Sequence, residues 1–398
     1  MRIKSIEASN FKSLVDFRIE LARFNCLIGL NGSGKSTVLQ FIDFVSQLVR
    51  GDIKGWLNER KWKSSDLKSK LTKKTNIDLC VSFADKDGQE AGRWEASYSP
   101  PKNRCTRERI DLFGSILEVT GEEIHIVAGP LPRPQDRKDR RSQITFSYEG
   151  SILSALKEDL LTHPILECKK LMKEVKSLDL LSPEYLRQRT RESSGSLGLG
   201  GQRLAAFLYE LGTPGRHELT RRLKDVYPQL ENLHIKSLRS GWKQLEITER
   251  YNGQASGLVG FFPRMTTEAR HINDGMLRLI AILAELQSRH RFLLFDEIEN
   301  GINPELVEFV IEALTSTEKQ VLVTTHSPMI LNYLSDEVAK SGVIYLYKTP
   351  IGSTKAVQFF SIPSLAEKLT VMGPGEVFVD TNLTDLSEEI QSVTEEVQ

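Results

Sequence analysis

The sequence predicts an α/β protein in which a parallel core sheet is joined to an antiparallel β lobe and a helical insertion. Three observations carry this. The apolar run of residues 24–28 breaks into a glycine-rich loop at 29–37, then resumes at helical spacing through Val38, Leu39, Phe41, Ile42, Val45 and Leu48. Between Ile77 and Tyr148 apolar and polar residues alternate with period two, the mark of half-buried antiparallel strands. Beyond Met276, short apolar runs alternate with helical patterns, as in a sheet of parallel strands linked by crossover helices.

The chain is long enough for such a plan. Its 398 residues, 39% apolar and 27% charged, can bury a large core in two or three lobes. Boundaries are expected near 150, 255 and 375: an N-terminal loop and β lobe at 1–150, a helical and strand insertion at 151–255, a C-terminal lobe at 256–375 and an acidic tail at 376–398. Lys and Arg (53) balance Asp and Glu (53), so the whole molecule has no net attraction for nucleic acid. Two basic runs, 58–74 and 133–141 (RPQDRKDRR), read as solvated faces or loops. Cys26, Cys80, Cys105 and Cys168 are too widely spaced for a zinc site or a disulfide framework. No secretory h-region or membrane-length apolar run is present, and a cytoplasmic protein without membrane contact is expected.

Taken in order, residues 3–21 read as two strands, the second with Val15, Phe17, Ile19 and Leu21 on one face. Between them lies the turn Asn10-Phe11-Lys12-Ser13, where Lys12 stands open between a solvated turn residue and a nucleotide contact. The loop that follows, Gly29-Leu30-Asn31-Gly32-Ser33-Gly34-Lys35-Ser36-Thr37, has the spacing G-x-x-x-x-G-K-[ST]. Its glycines let backbone N–H groups of Asn31, Gly32, Ser33 and Gly34 turn inward on an oxyanion, and the next helix adds the positive end of its dipole. Lys35 would reach the outer phosphates of ATP, the Ser36 hydroxyl would bind Mg²⁺, and Thr37, the residue after the motif, is expected to join the nucleotide contacts.

After a basic loop come strands through Ile77–Phe83 and Trp94–Tyr98, a hairpin at Thr120-Gly121, and a strand through Ile144, Phe146 and Tyr148. Residues 151–181 read as helical with a break at Pro164, and no apolar heptad persists long enough for a coiled coil. The Gly/Ser stretch 191–202 is a loop, 203–211 a helix, and 234–251 two strands ending in the turn Asn252-Gly253. The remaining pattern is a helix at 276–287, strands at 292–295, 320–325 and 343–347, and helices at 304–314 and from Pro328.

Two strand ends carry chemistry. The run Phe292–Phe295 is followed by Asp296 and Glu297, and ligands gather at the carboxyl ends of parallel strands. Asp296 would hold Mg²⁺ through water and Glu297 would act as general base. Thr324-Thr325-His326-Ser327-Pro328 repeats the arrangement, with His326 able to donate a hydrogen bond to the γ-phosphate.

With those residues placed, the chain resembles the P-loop ABC-type ATPase heads of the RecF/SMC and OLD (overcoming lysogenization defect) group, and most of all the stand-alone AAA-type ATPases of bacterial defence loci. The resemblance spans residues 1–334 through Asn10-Phe11-Lys12, the glycine loop, Ile272–Arg278, FDEIENGINP and TTHSP. It implies that Asn273, Asp274 and Gly275 cap the γ-phosphate of nucleotide bound by a second subunit. It also implies a homodimer or higher even-numbered oligomer. Asn273 replaces the usual Ser, Met276 a polar or small residue, and Asn303 a frequent His. The stretch between Lys35 and Asp296 lacks the coiled coil of an SMC head, and residues 335–398 lack the Toprim constellation of an OLD nuclease.

The leading expectation is therefore an ATP-hydrolysing switch that controls a separately encoded effector such as a nuclease, or DNA, in antiviral defence. The alternative is a RecF-like ATP-dependent DNA clamp. A transporter motor fits poorly, because the strand-rich insertion has no place in one.

Overall fold

A computed structural model describes residues 1–127, 139–178, 181–193, 195–251, 264–386 and 390. Its strands in chain order are β1 (Arg2–Ser9), β2 (Phe17–Glu20), β3 (Phe24–Ile28), β4 (Ile77–Ala84), β5 (Glu90–Ser99), β6 (Arg104–Leu112), β7 (Ser115–Thr120), β8 (Glu123–Val127) and β9 (Asp139–Gln143). There follow β10 (Val175–Leu178), β11 (Leu230–Ser237), β12 (Lys243–Arg250), β13 (Arg264–Glu268), β14 (Phe292–Phe295), β15 (Gln320–Thr324), β16 (Val343–Lys348) and β17 (Thr354–Gln358).

The period-two segments form one sheet of order β2-β1-β4-β5-β6-β7-β8-β9, antiparallel at every pair. Alternation fixes its register, because a one-residue slip would turn the apolar face to water. The inner face carries Ile77, Leu79, Val81 and Phe83 of β4 and Trp94 of β5, all buried. These residues share a core with the helix Lys35–Arg50, where Phe44 packs edge-on against Tyr98 (centroids 5.1 Å apart) and stacks on Phe11 (5.4 Å).

Two expectations fail here. The last strand is not Ile144–Tyr148 but β9, which pairs Gln143 with Glu123 at the sheet edge. Beyond it the chain leaves the ladder and buries Ile144 and Tyr148 singly, with the Tyr148 hydroxyl donating to the Cys105 carbonyl (3.1 Å). Alternation continues past the strand because burial does: the Ile144 N–H still donates to the Glu122 carbonyl (2.7 Å), but β9 itself ends at Gln143. Arg140 and Arg141 of the second basic run lie exposed on β9, and residues 133–138 of that run lie outside the described residues.

Pro164, for its part, does not break a helix. It sits in the first turn of the helix His163–Lys173, where a missing N–H costs nothing. That helix ends at Glu174, and the short run Val-Lys-Ser-Leu becomes β10.

The second sheet has the order β10-β14-β15-β3-β16-β17. β3 lies between β15 and β16, parallel to both, and all five of its residues are buried, as a continuous apolar run requires. β17 returns antiparallel on β16 and closes the edge as a hairpin. Gln320 ties the two sheets together: its side chain accepts from the Ile3 N–H (3.2 Å) and donates to the carbonyls of Ile3 (2.8 Å) and Ala22 (2.9 Å). The start of the acidic tail is folded, with Leu386 buried and the Tyr345 hydroxyl donating to the Leu383 carbonyl (2.7 Å).

The chain divides into two compact units that interleave along the sequence. One comprises 1–177, 291–294 and 320–398, and the other 178–290 and 295–319. The second unit holds the antiparallel sheet β11-β12-β13 and the helices Leu204–Glu210, Gly212–Lys224, Asp274–Leu286 and Pro304–Thr315. The helix Gly212–Lys224 is not foreshadowed by a strong apolar stripe; only Leu219, Thr220 and Leu223 of it are buried. The turn Asn252-Gly253 lies outside the described residues. No helix among the described residues is long and apolar enough to cross a membrane.

Candidate nucleotide site

The glycine loop joins β3 to the helix Lys35–Arg50, so strand, loop and helix follow one another as the local pattern demands. Gly29 takes φ +144°, and a side chain there would meet the Leu346 carbonyl oxygen at 2.3 Å. Gly34, at φ +113°, begins the helix, and a Cβ on it would lie 2.4 Å from the Thr354 hydroxyl. Neither position accepts any other residue.

Lys35 is almost fully buried and turns its ammonium back into the loop, donating to the carbonyls of Gly29 (2.8 Å) and Leu30 (3.2 Å). Asn31, Gly32 and Ser36 are exposed and Thr37 half-buried. The fit to a phosphate chain rests on three features. No side chain caps the first turn of the helix and no acid lies in that turn, so its positive end is not neutralised from within. The Ser33 hydroxyl is buried with no hydrogen-bond partner. A Cβ on Gly32 would meet nothing within 4 Å, which leaves the tip of the loop open.

Around the loop stand residues that sequence reasoning missed. The Thr354 hydroxyl, at the start of β17, donates to the Ser33 carbonyl (2.8 Å) and lies 2.8 Å from the Ser13 hydroxyl. Lys348 donates to the same hydroxyl (3.1 Å) and to the Gly352 carbonyl (3.0 Å), and burial lowers its pKa. Lys12 is held rather than solvated: its backbone is left-handed (φ 46°), its ammonium donates to Gln40 (2.7 Å) and rests 3.5 Å from the centroid of Trp62.

His326 is exposed just past β15, whose Thr324 pairs in parallel register with Leu27 of β3. It therefore leaves the sheet at the same end as Gly29. The Thr325 N–H donates to the Leu27 carbonyl (3.2 Å), and its hydroxyl accepts from the Ser327 N–H (2.9 Å).

Asp296 and Glu297 follow β14 into the second unit. Glu297 adopts φ +46°, a left-handed conformation costly for a side chain of this kind, and accepts from the Asn300 side chain (3.3 Å). In the same unit Asn273 caps the helix Asp274–Leu286, its side-chain oxygen accepting from the Met276 N–H (2.8 Å). Asp274 is ion-paired with Arg187, which also donates to the Ile272 carbonyl (2.9 Å). A Cβ on Gly275 would come within 3.1 Å of the Gly301 carbonyl, so the start of this helix lies against the turn that follows Glu297. Arg278 is buried one turn further along. Burial lowers its pKa, while Glu297 and Glu299 oppose the shift. Among the described residues, no group of three or more His, Cys, Asp or Glu gathers as a metal site.

Comparisons with known proteins bear on the family and the fold. Residues 1–187 match a family model described as "AAA ATPase domain", and residues 264–332 match one described as "AAA domain, putative AbiEii toxin, Type IV TA system". No curated protein matches the chain. Among solved structures, an SmcHead bound to the C-winged helix domain of ScpA superposes with a TM-score of 0.55 at 13% identity, over 90% of this chain and 98% of that one. The SMC head domain from Thermotoga maritima aligns at 0.44 and 13% identity, over 90% and 98%. The Smc head domain of Pyrococcus furiosus, with an extended coiled coil and bound to the C-terminal domain of ScpA, aligns at 0.49 and 12%, over 92% and 99%. The first of these likenesses gives the fold of an ATPase head. With the glycine loop on β3 and both AAA family matches, this shows an ATPase built on the fold of a P-loop ABC-type head.

Proposed function

We propose that this ATPase is a switch: two copies, or a higher even number, close around ATP in the cytoplasm, and a partner reads the closure. The partner would be a separately encoded effector such as a nuclease, or DNA, in bacterial antiviral defence or DNA metabolism. The observation that carries this reading is the start of the helix Asp274–Leu286, where Asn273 and Asp274 lie exposed while the Asn273 side chain holds the first turn in shape. The acid that Asp274 brings to this first turn is ion-paired with Arg187, and the first-turn N–H groups that have no partner within the helix suit an anion brought by another molecule. That an SmcHead of the same fold is bound to a winged-helix domain of ScpA supports a protein partner.

In this reading the N–H groups of residues 31–37 hold the phosphates, and Lys35 and Lys12 set positive charge beside them. The Ser36 hydroxyl and, through water, Asp296 would hold Mg²⁺, which when bound draws charge off the phosphate oxygens. Glu297 takes the proton of the attacking water, and His326 donates a hydrogen bond to the γ-phosphate. Asn273, Asp274 and Gly275 cover the γ-phosphate held by the opposite copy. A clamp of the RecF kind is the second reading, favoured by exposed Arg140 and Arg141 on the edge strand β9. DNA-stimulated turnover that falls steeply with salt, with no protein partner, would select it.

The test is Glu297→Gln. Turnover should fall by about 10² to 10⁴ for loss of a general base while ATP still binds. Light scattering should then show the molar mass doubling when ATP is added. A mass unchanged by saturating ATP would remove closure from the reading.

A further inference from the structure

We infer that Thr354 is a positioning residue for the phosphate loop, its hydroxyl fixing the orientation of the Ser33–Gly34 peptide. The inference rests on ATP binding at that loop.

Three groups converge on the Thr354 hydroxyl in a wholly buried place: the Ser33 carbonyl (2.8 Å), the Ser13 hydroxyl (2.8 Å) and the Lys348 ammonium (3.1 Å). A hydroxyl has one proton to give and two lone pairs to receive with. The carbonyl can only accept and the ammonium can only donate. The Thr354 proton therefore goes to Ser33, and the Ser13 proton goes to Thr354, so every hydrogen bond of the set has one direction. The backbone locks the same contact, since the Thr354 N–H donates to the Ser13 carbonyl (2.9 Å).

The consequence falls on the loop. Ser33 C=O and Gly34 N–H belong to one planar trans peptide, in which they point opposite ways, and no cis bond occurs among the described residues. Anchoring the carbonyl on β17 aims the Gly34 N–H away from the hairpin. In a loop that binds anions through its N–H groups, this sets the direction of a donor. Thr354 also fills the space beside Gly34, with its Cγ2 2.9 Å from where a Cβ would stand, so the peptide cannot settle elsewhere by shifting toward β17. Lys348, partly desolvated, strengthens the set because its charge-assisted bond enters the oxygen whose proton holds Ser33.

Nucleotide affinity, read by calorimetry or a fluorescent ATP analogue on the full chain, tests this. Thr354→Val keeps the shape and removes the hydroxyl, and should weaken ATP binding by about tenfold or more, the loss of a directed hydrogen bond. Thr354→Ser should restore binding to within about threefold, a rescue that a purely packing role would not show. Ser13→Ala removes a donor and leaves the bond to Ser33, so its effect should be the smallest of the set. If Thr354→Val does not fold, Thr354→Ala and Lys348→Met ask the same question without added bulk, and both should bind ATP less tightly than the parent. Wild-type affinity in folded Thr354→Val or Thr354→Ala overturns the inference. So does a Ser variant as weak as the Val variant. Lys35→Ala is the control: if it binds ATP normally, the loop is not the nucleotide site, and that earlier reading fails instead.

Discussion

Arg278 packs beneath Gly301: a side chain added at Gly301 would lie 3.4 Å from its Cδ and 3.6 Å from a guanidinium nitrogen. The arginine is buried, its Nε has no hydrogen-bond partner, and Glu297 and Glu299 supply the opposing charge. A cation in this place holds the turn after Glu297 against the helix that begins at Asp274. Arg278→Gln should therefore lower kcat by about tenfold while changing ATP affinity much less, and Arg278→Lys should recover part of the loss. Steady-state kinetics with a separate binding measurement checks this; equal losses in kcat and affinity would mean a general disturbance of the fold.

The proposed sharing of the site between copies makes a prediction of its own. A protomer with Lys35→Ala and one with Gly275→Arg should each be inactive alone. In a mixed dimer, the intact glycine loop of the second meets the intact Asn273-Asp274-Gly275 segment of the first, so one composite site is whole. Mixing should restore hydrolysis, or, if both sites must fire together, ATP-dependent cross-linking between differently tagged protomers. Neither outcome across a range of mixing ratios would mean that each nucleotide site is completed within one chain.

A third prediction concerns pH. Glu108 of β6 is fully buried, and burial pushes its carboxyl up to about 7. Hydrogen bonds from Ser151 (2.6 Å), the Ile152 N–H (2.7 Å) and Trp94 (3.3 Å) pull it back only in part. An acid whose folded pKa exceeds its unfolded value holds its proton longer in the native state, so stability falls as pH rises from about 4.5 to about 7. The steepest slope from this group is about 1.4 kcal/mol per pH unit. Glu108→Gln should flatten that part of the profile, measured as the difference in denaturation midpoint between wild type and variant from pH 5 to 8. Parallel profiles would show that Glu108 ionises as easily in the folded protein as in the unfolded chain.

What the sequence revealed follows the range of the forces involved. The strand, loop and helix of residues 24–50 were legible because the apolar period changes within a few residues and the glycines sit where the backbone must turn left-handed. The Asn273 cap is a contact of the same short range, with donor and acceptor three residues apart. Thr354 was not: it meets Ser33 across 321 residues, and an isolated Thr at a strand start looks like any other. Nor was β10, whose Val-Lys-Ser-Leu has no strand signal apart from the sheet that receives it. The sequence does not place Lys12, because Trp62, on which it rests, belongs to a basic loop with no pattern to place it.

The left-handed backbone at Glu297 sets the interests of folding and chemistry against each other at one codon. Glycine would adopt φ +46° without the strain, at a saving of about 1 kcal/mol relative to a residue with a Cβ. A library screened only for heat resistance should therefore enrich glycine at 297 and discard the carboxylate proposed to activate water. The same library screened for turnover should keep the glutamate and collect its stabilising changes elsewhere.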